Sequence, residues 1–151
     1  YIVKDSACKF YTMLFELKSR DYPRSLKVEI RKGLKEIKTE PAIAYSKYTD
    51  IQVLLKTLSL QDAMRTKVDA FLKRKEIRDI FDIEFLYKRG SGLEVEPKKL
   101  EKLLNGIGAF AKEDYSVKLG SLLEEKMRRY YTTENFKILK TAIKGKLGED
   151  V

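Results

Sequence analysis

Histidine is missing from this 151-residue chain, and cysteine occurs once, at Cys8. With no second cysteine an internal disulfide is excluded. Together the two shortages also exclude zinc sites of the Cys/His kind, Cys–His nucleophile pairs and Ser–His–Asp triads. Any chemistry therefore falls to Asp, Glu, Lys, Arg, Ser, Thr or Tyr. Long apolar runs are lacking too: none approaches 18 residues, and the opening YIVKDSACKF is charged where a secretory signal needs its apolar stretch. These features predict a soluble, cytoplasmic protein with no membrane partner. Proline is scarce, at three residues, and the chain is 43% hydrophobic and 36% charged. That balance excludes disorder as the main state, and a chain of this length buries roughly two thirds of its unfolded surface on folding, enough for a core without staples. The chain starts at Tyr1 without an initiator methionine, which predicts a processed or trimmed start.

Positive charge is what the sequence has in excess. Thirty-two Lys and Arg stand against 23 Asp and Glu, a net +9 spread along the chain rather than gathered in one arm. A surface of this kind favours polyanions such as nucleic acid, nucleotide phosphates or an anionic membrane surface. The other reading is a solvated Lys- and Glu-rich surface of the sort common in heat-resistant proteins.

The hydrophobic period changes partway along the chain. Lys9 to Leu17 places Tyr11, Met13, Phe15 and Leu17 on one face at period two, and Ser25 to Lys32 does the same with Leu26, Val28 and Ile30. The intervening KSRDYPR carries turn residues, so the pair predicts an antiparallel hairpin, with Lys27, Glu29 and Arg31 opposite the apolar residues. Between Gly33 and Asp50 the pattern weakens, and Pro41 breaks any helix. Ile51 to Leu55 reads as a third strand whose near-continuous apolar run predicts burial on both faces. From Ser59 the spacing becomes helical. Ser59 with Asp62 resembles a capping box, and Leu60, Met64, Val68, Phe71 and Leu72 predict a helix from Leu60 to about Arg74. A second helix runs from Ile77 to about Lys88 and stops at Gly90-Ser91-Gly92. Pro97 opens a third, to about Asn105. Two more are predicted at about Ser116–Tyr130 and Thr133–Lys146. The expectation is an α+β chain with a strand-rich region at 1–58 and a helical region at 59–151.

Four groups of residues stand out chemically. Lys67 falls on the apolar stripe of its helix, where a lysine must meet an anion or snorkel to water. It is therefore either a phosphate contact or a member of an internal salt bridge. Asp79 and Asp82 share a face of the next helix beside Arg78, either as candidate anions of a site or as helix-dipole compensation. Glu29, between Lys27 and Arg31, is either solvated strand charge or part of a metal- and phosphate-holding cleft, with Glu16 a weaker candidate of the same type. Arg128 and Arg129, in KMRRYY, would grip phosphate while the tyrosines stack bases, unless Met127, Tyr130 and Tyr131 join Leu122 and Leu123 as a packing face. Gly90-Ser91-Gly92 with Glu94 and Glu96 looks superficially like a Gly-Ser pair with two acids, but Pro97 follows at once and the stretch reads as a loop.

The string SLQDAMRTKVDAFLKRKEIRDIFDIEFL resembles the second half of the AbiEii-type nucleotidyltransferases, toxins of abortive-infection and related toxin–antitoxin systems. Lys67, Ala70, Arg74, Arg78, Asp79, Asp82 and Leu86 carry the match, preceded in order by strands like LKVEI and IQVLL, over about Lys9 to Arg89. The resemblance implies a partial polymerase-β-like nucleotidyltransferase fold, a mixed sheet followed by a helical C-terminal region. It further implies transfer of a nucleotide from an NTP to an acceptor such as tRNA, with Mg²⁺ as cofactor and a cognate antitoxin as partner. On that basis Lys67 would contact phosphate, with Arg74, Arg78 and Asp79 on the substrate side. Glu29 would be a metal-holding carboxylate, and Asp79 and Asp82 would order Lys67 and Arg74 or assist the acceptor.

The sequence departs from that family at its defining element. A Gly-Ser pair followed about ten residues later by Asp-x-Asp does not occur in these 151 residues. The expectation is that it lies upstream of Tyr1 and that the chain as given is inactive alone, since one strand carboxylate cannot hold two metals. The competing expectation is a non-catalytic basic module that binds nucleic acid or a protein partner, with Arg128 and Arg129 as contacts.

Overall fold

The computed structural model describes residues 1–33, 37–46 and 48–148. Among them are five strands, all before residue 59, and five α-helices, all after it. The chain is therefore α+β with its two kinds of element segregated. It divides into two compact units, Tyr1–Ile37 and Lys38–Val151.

The first unit is one antiparallel sheet in the order β1 (Ile2–Cys8), β2 (Thr12–Lys18), β3 (Leu26–Arg31). The predicted hairpin is β2–β3. Its register pairs Met13 with Ile30, Phe15 with Val28 and Leu17 with Leu26, which puts the period-two apolar residues on one face. Glu29, opposite Leu14, takes the other. Between the strands the Asp21 amide donates to the Ser19 hydroxyl, the turn chemistry expected of that segment. Strand β1 was not foreseen, because IVKDSAC has no clean alternation, and its pairing with β2 shifts register between Val3 and Asp5. No described side chain of this unit is buried.

In the second unit a two-stranded antiparallel ribbon, β4 (Thr39–Ser46) and β5 (Thr49–Leu58), precedes the helices. Two expectations are corrected here. In place of a mixed sheet there are two separate antiparallel ones, since every strand connection is a short link and parallel pairing needs a long crossover. The run IQVLL is not buried on both faces: Ile51 is 72% and Leu54 73% exposed, and among the described residues β5 pairs with β4 alone. The weak pattern at 33–50 hid β4, whose Pro41 faces Lys56 in a ribbon that has only edge strands and so tolerates a missing N–H. Residues 34–36 and 47 of that stretch lie outside the described residues.

The core is helical. It is built by Met64, Val68 and Phe71 of α1 (Leu60–Arg74), Ile77, Ile80 and Ile83 of α2 (Ile77–Lys88), and Leu100, Leu103 and Ile107 of α3 (Pro97–Gly108). Leu139 and Ile143 of α5 (Lys137–Leu147) complete it together with Leu93, Tyr115, Leu119, Tyr131 and Phe136. Burying each such side chain stabilises the fold by about 1.5–3 kcal/mol before entropy is counted. Helix α1 starts as the spacing predicts, with the Ser59 hydroxyl accepting from the Asp62 amide. The reciprocal half of the capping box is not made, because the Asp62 carboxylate accepts from the Lys38 amide and from Arg65 instead. Gly90, at φ +88°, ends the turn after α2, and Pro97 opens α3.

The two C-terminal helices need redrawing. The expected Ser116–Tyr130 helix is a π-helical segment, Asp114–Leu119, a short 3-10 turn and then α4 (Glu125–Glu134), broken by extended backbone at Leu123. The expected Thr133–Lys146 helix starts late, because Asn135 and Phe136 both adopt left-handed backbone and Phe136 turns its ring into the core. Burial of that ring outweighs the strain, typically about 1–3 kcal/mol, of a left-handed aromatic residue.

Candidate functional site

Where α1 ends and α2 begins, two cations from one helix meet two carboxylates from the other. The link Lys75-Glu76 turns the chain sharply, with Lys75 left-handed and its amide bonded to the Phe71 carbonyl. This brings Arg74 onto Asp79. The guanidinium donates from Nε and Nη2 to the two carboxylate oxygens, each at 2.6 Å, while Asp79 is fully buried. The planar fork matches the carboxylate geometry. Hydrogen bonding to Asp79, and then its charge, raises the Arg74 pKa above its already high ordinary value.

Two turns back along α1, Lys67 Nζ lies 2.5 Å from Asp82 Oδ2 and 3.9 Å from Asp79 Oδ1. Lys67 is 36% exposed and Asp82 39%, so this pair stands at the surface, while the buried Asp79 carboxylate lies within reach of both Lys67 and Arg74. Beside it a pocket of about 270 Å³ is walled by Leu58, Ala63, Thr66, Phe85 and Leu86 as well as by Lys67 and Asp82. An ammonium with three donors, one half-exposed carboxylate partner and an apolar pocket at its side can meet an anionic group that carries an apolar part.

The structure thus joins four of the sequence candidates, Lys67, Arg74, Asp79 and Asp82. Arg78 does not join them; it points away on α2, 3.6 Å from Glu76. Glu29, in the first unit, is 57% exposed and 3.6 Å from Lys27 Nζ, and Glu16 is paired with Lys4 at 2.8 Å. The hydrogen bond from Lys4 holds the Glu16 carboxyl below its ordinary pKa. A two-metal clamp needs several carboxylates converging on the ions. Among the described residues no group of three or more Asp, Glu, Cys or His side chains is placed to hold a metal ion. Glu29 alone does not fit that role.

Arg128 and Arg129 stay exposed but are engaged. Arg129 pairs with Glu125 at 2.6 Å, while Arg128 lays its stem over Gly120 and donates to the Leu123 carbonyl. Tyr131 is buried against Phe81 and Phe136, so it packs rather than stacks bases. Ser91 is also structural: its hydroxyl donates to the Leu60 carbonyl at 3.1 Å and ties the loop after α2 to the start of α1.

Sequence reasoning missed Glu84. It is fully buried, with Oε1 2.5 Å from Lys88 Nζ and accepting from the Tyr131 hydroxyl at 3.4 Å, while Oε2 has no partner among the described residues. Burial would lower the Lys88 pKa, but the hydrogen bond and charge of Glu84 outweigh it and hold that pKa raised. Burial, then the Glu84 charge, pushes the Tyr131 hydroxyl up. Its signal was present: Glu84 lies on the stripe of Ile77 and Ile80, with a lysine four residues on.

These features define an α+β protein whose four convergent candidate charges sit on a helix crossing. The family model described as "Nucleotidyl transferase AbiEii toxin, Type IV TA system" matches residues 3–146. The chain belongs to this family of nucleotidyltransferase toxins, in which a cognate antitoxin is the expected partner. Neither a curated protein nor a solved structure matches it. No described helix is long and apolar enough to cross a membrane.

Proposed function

We propose that the α1–α2 crossing serves nucleotidyl transfer by engaging the phosphates of an NTP through Lys67. The observation that carries this reading is the half-exposed Lys67–Asp82 pair on the lip of an apolar pocket, braced by Arg74 paired with the buried Asp79 carboxylate. Lys67 supplies a mobile positive charge for the phosphates. Asp82 positions it, and the pocket faces the apolar side of the nucleotide. In the transfer itself an acceptor hydroxyl oxygen bonds to the α-phosphorus as the bond to the bridging oxygen breaks. Pyrophosphate leaves with that electron pair, and the hydroxyl proton passes to a base. The acceptor favoured here is RNA, tRNA in particular, which suits a chain of net charge +9.

Calorimetric titration with each of the four NTPs tests the site. One or more should bind, and Lys67→Ala should weaken that binding by about 10- to 100-fold, the worth of a charge-assisted contact. Stability should change by about 1 kcal/mol or less, because the lost pair is half exposed. Equal binding by wild type and variant, or no NTP binding by either, would overturn the assignment.

A further inference from the structure

A second concave surface lies elsewhere in the helical unit, between the end of α1, the last turns of α3 and the π-helical segment. This groove holds about 510 Å³. Three lysines from three separate elements face it: Lys75 from the turn after α1, Lys102 from α3 and Lys118 from the π-helical segment. Gly106, Ala109 and Phe110 supply an apolar lining, and Asn105 and Asp114 complete the wall.

Two of the three lysines are not absorbed by pairing with a carboxylate among the described residues. No ion pair of Lys102 with a carboxylate is present among the described residues, and Lys75 has a ring in place of one, its ammonium lying 5.1 Å from the Phe71 centroid. Lys118 alone is paired, with Asp114 at 2.7 Å, which leaves the groove a net charge of about +2. Two features fix the shape. Lys75 is left-handed and bonded to the Phe71 carbonyl, which locks the direction its stem leaves the helix. Gly106 lets Phe71 approach so closely that an added Cβ would lie 2.6 Å from its ring, so a side chain here would lift the floor.

Three ammonium groups around a shallow apolar floor suit a ligand that carries charge on phosphate oxygens and has a flat apolar face to lay down. We propose that this groove binds a nucleotide unit, its phosphate met by Lys75, Lys102 and Lys118 and its base lying over Gly106, Ala109 and Phe110. The phosphate comes either from a free nucleotide or from the backbone of single-stranded RNA. An acidic peptide matches the charge but leaves the apolar floor without a partner. The groove requires no transfer chemistry and stands independently of the Lys67 reading.

Fluorescence anisotropy with a labelled 12-nucleotide single-stranded RNA tests it, in a Lys67→Ala background that weakens any contribution from the α1–α2 crossing. Three lysine contacts predict a slope of log K against log salt near −2. The affinity then falls by about 20-fold between 50 and 200 mM salt. Lys75→Ala/Lys102→Ala should make that slope shallower by about 1.4 and weaken binding at least tenfold at low salt. Lys18→Ala/Lys56→Ala removes the same charge from exposed strand positions and should leave binding within about threefold of its parent, for loss of general attraction alone. Ala109→Glu, which keeps all three lysines but puts a carboxylate on the floor, should likewise weaken binding at least tenfold, and circular dichroism of each variant checks the fold. Displacement of the RNA by ATP identifies the free nucleotide as the source, and displacement only by unlabelled RNA identifies the backbone; both support the groove. No binding by the parent protein, equal loss in the two double variants, or equal displacement by polyglutamate would overturn it.

Discussion

Removing either partner of the Arg74–Asp79 pair should have unequal consequences, because only one of them is buried. Asp79 is fully enclosed while the Arg74 side chain is 56% exposed. Arg74→Ala leaves a carboxylate inside the protein with Lys67 3.9 Å away as its nearest remaining cation. Removal of one partner of a buried pair costs about 3–5 kcal/mol, and the lysine offsets part of that, so about 3 kcal/mol is expected. Asp79→Ala instead releases an arginine that can turn to water. What is lost is the pair's net contribution plus a first-turn acid on α2, together about 1–2 kcal/mol. The double variant should then be more stable than Arg74→Ala alone, since it leaves no orphaned charge. For a chain of this size, 3 kcal/mol lowers Tm by about 6–12 °C. Urea unfolding followed at 222 nm reads the helices that carry the pair. If Asp79→Ala proved at least as damaging as Arg74→Ala, or the double variant worse than both, the argument from unequal burial would be wrong.

Two further outcomes follow from the groove and its surroundings. Asp114 is held below its ordinary pKa by the hydrogen bond from Lys118 and then by that from the Ala111 amide. Its contribution is therefore present above the unfolded pKa of about 3.9 and disappears as pH falls through the lower folded value. Asp114→Asn should be less stable than wild type at pH 6 by about 1 kcal/mol or less, and the two should converge toward pH 2 in parallel melts; a gap that widens in acid refutes the assignment. Gly106→Ala should lower stability by about 1–2 kcal/mol although alanine favours helix, since the Phe71 ring must move to admit the methyl group. A raised Tm would show that the ring yields freely.

Some of this was legible before any coordinates. Helix α1 was readable to its ends because its start is a serine cap and its interior a clean 3.6-residue stripe, both local signals. The β2–β3 hairpin was readable for the same reason at period two. Helix α4 was not, because Gly120 and the extended Leu123 interrupt a pattern that remains amphipathic across them. Exposure of β5 was not legible either, since an apolar run states a preference for burial and not whether a neighbour exists to provide it.

The candidate site divides along the same line. Spacing alone put Lys67 on an apolar stripe and Asp79 with Asp82 on one face, because helical geometry fixes which residues of one element share a side. The tight turn at Lys75 then decided that Arg74 takes Asp79 and leaves Lys67 to Asp82, while Arg78, equally prominent in sequence, faces solvent. Burial of Glu84 and the meeting of Lys75, Lys102 and Lys118 were likewise decided by packing between elements distant in the chain. Periodicity acts over a few residues and is written in the sequence, whereas the partner of a charge depends on which helices close against each other.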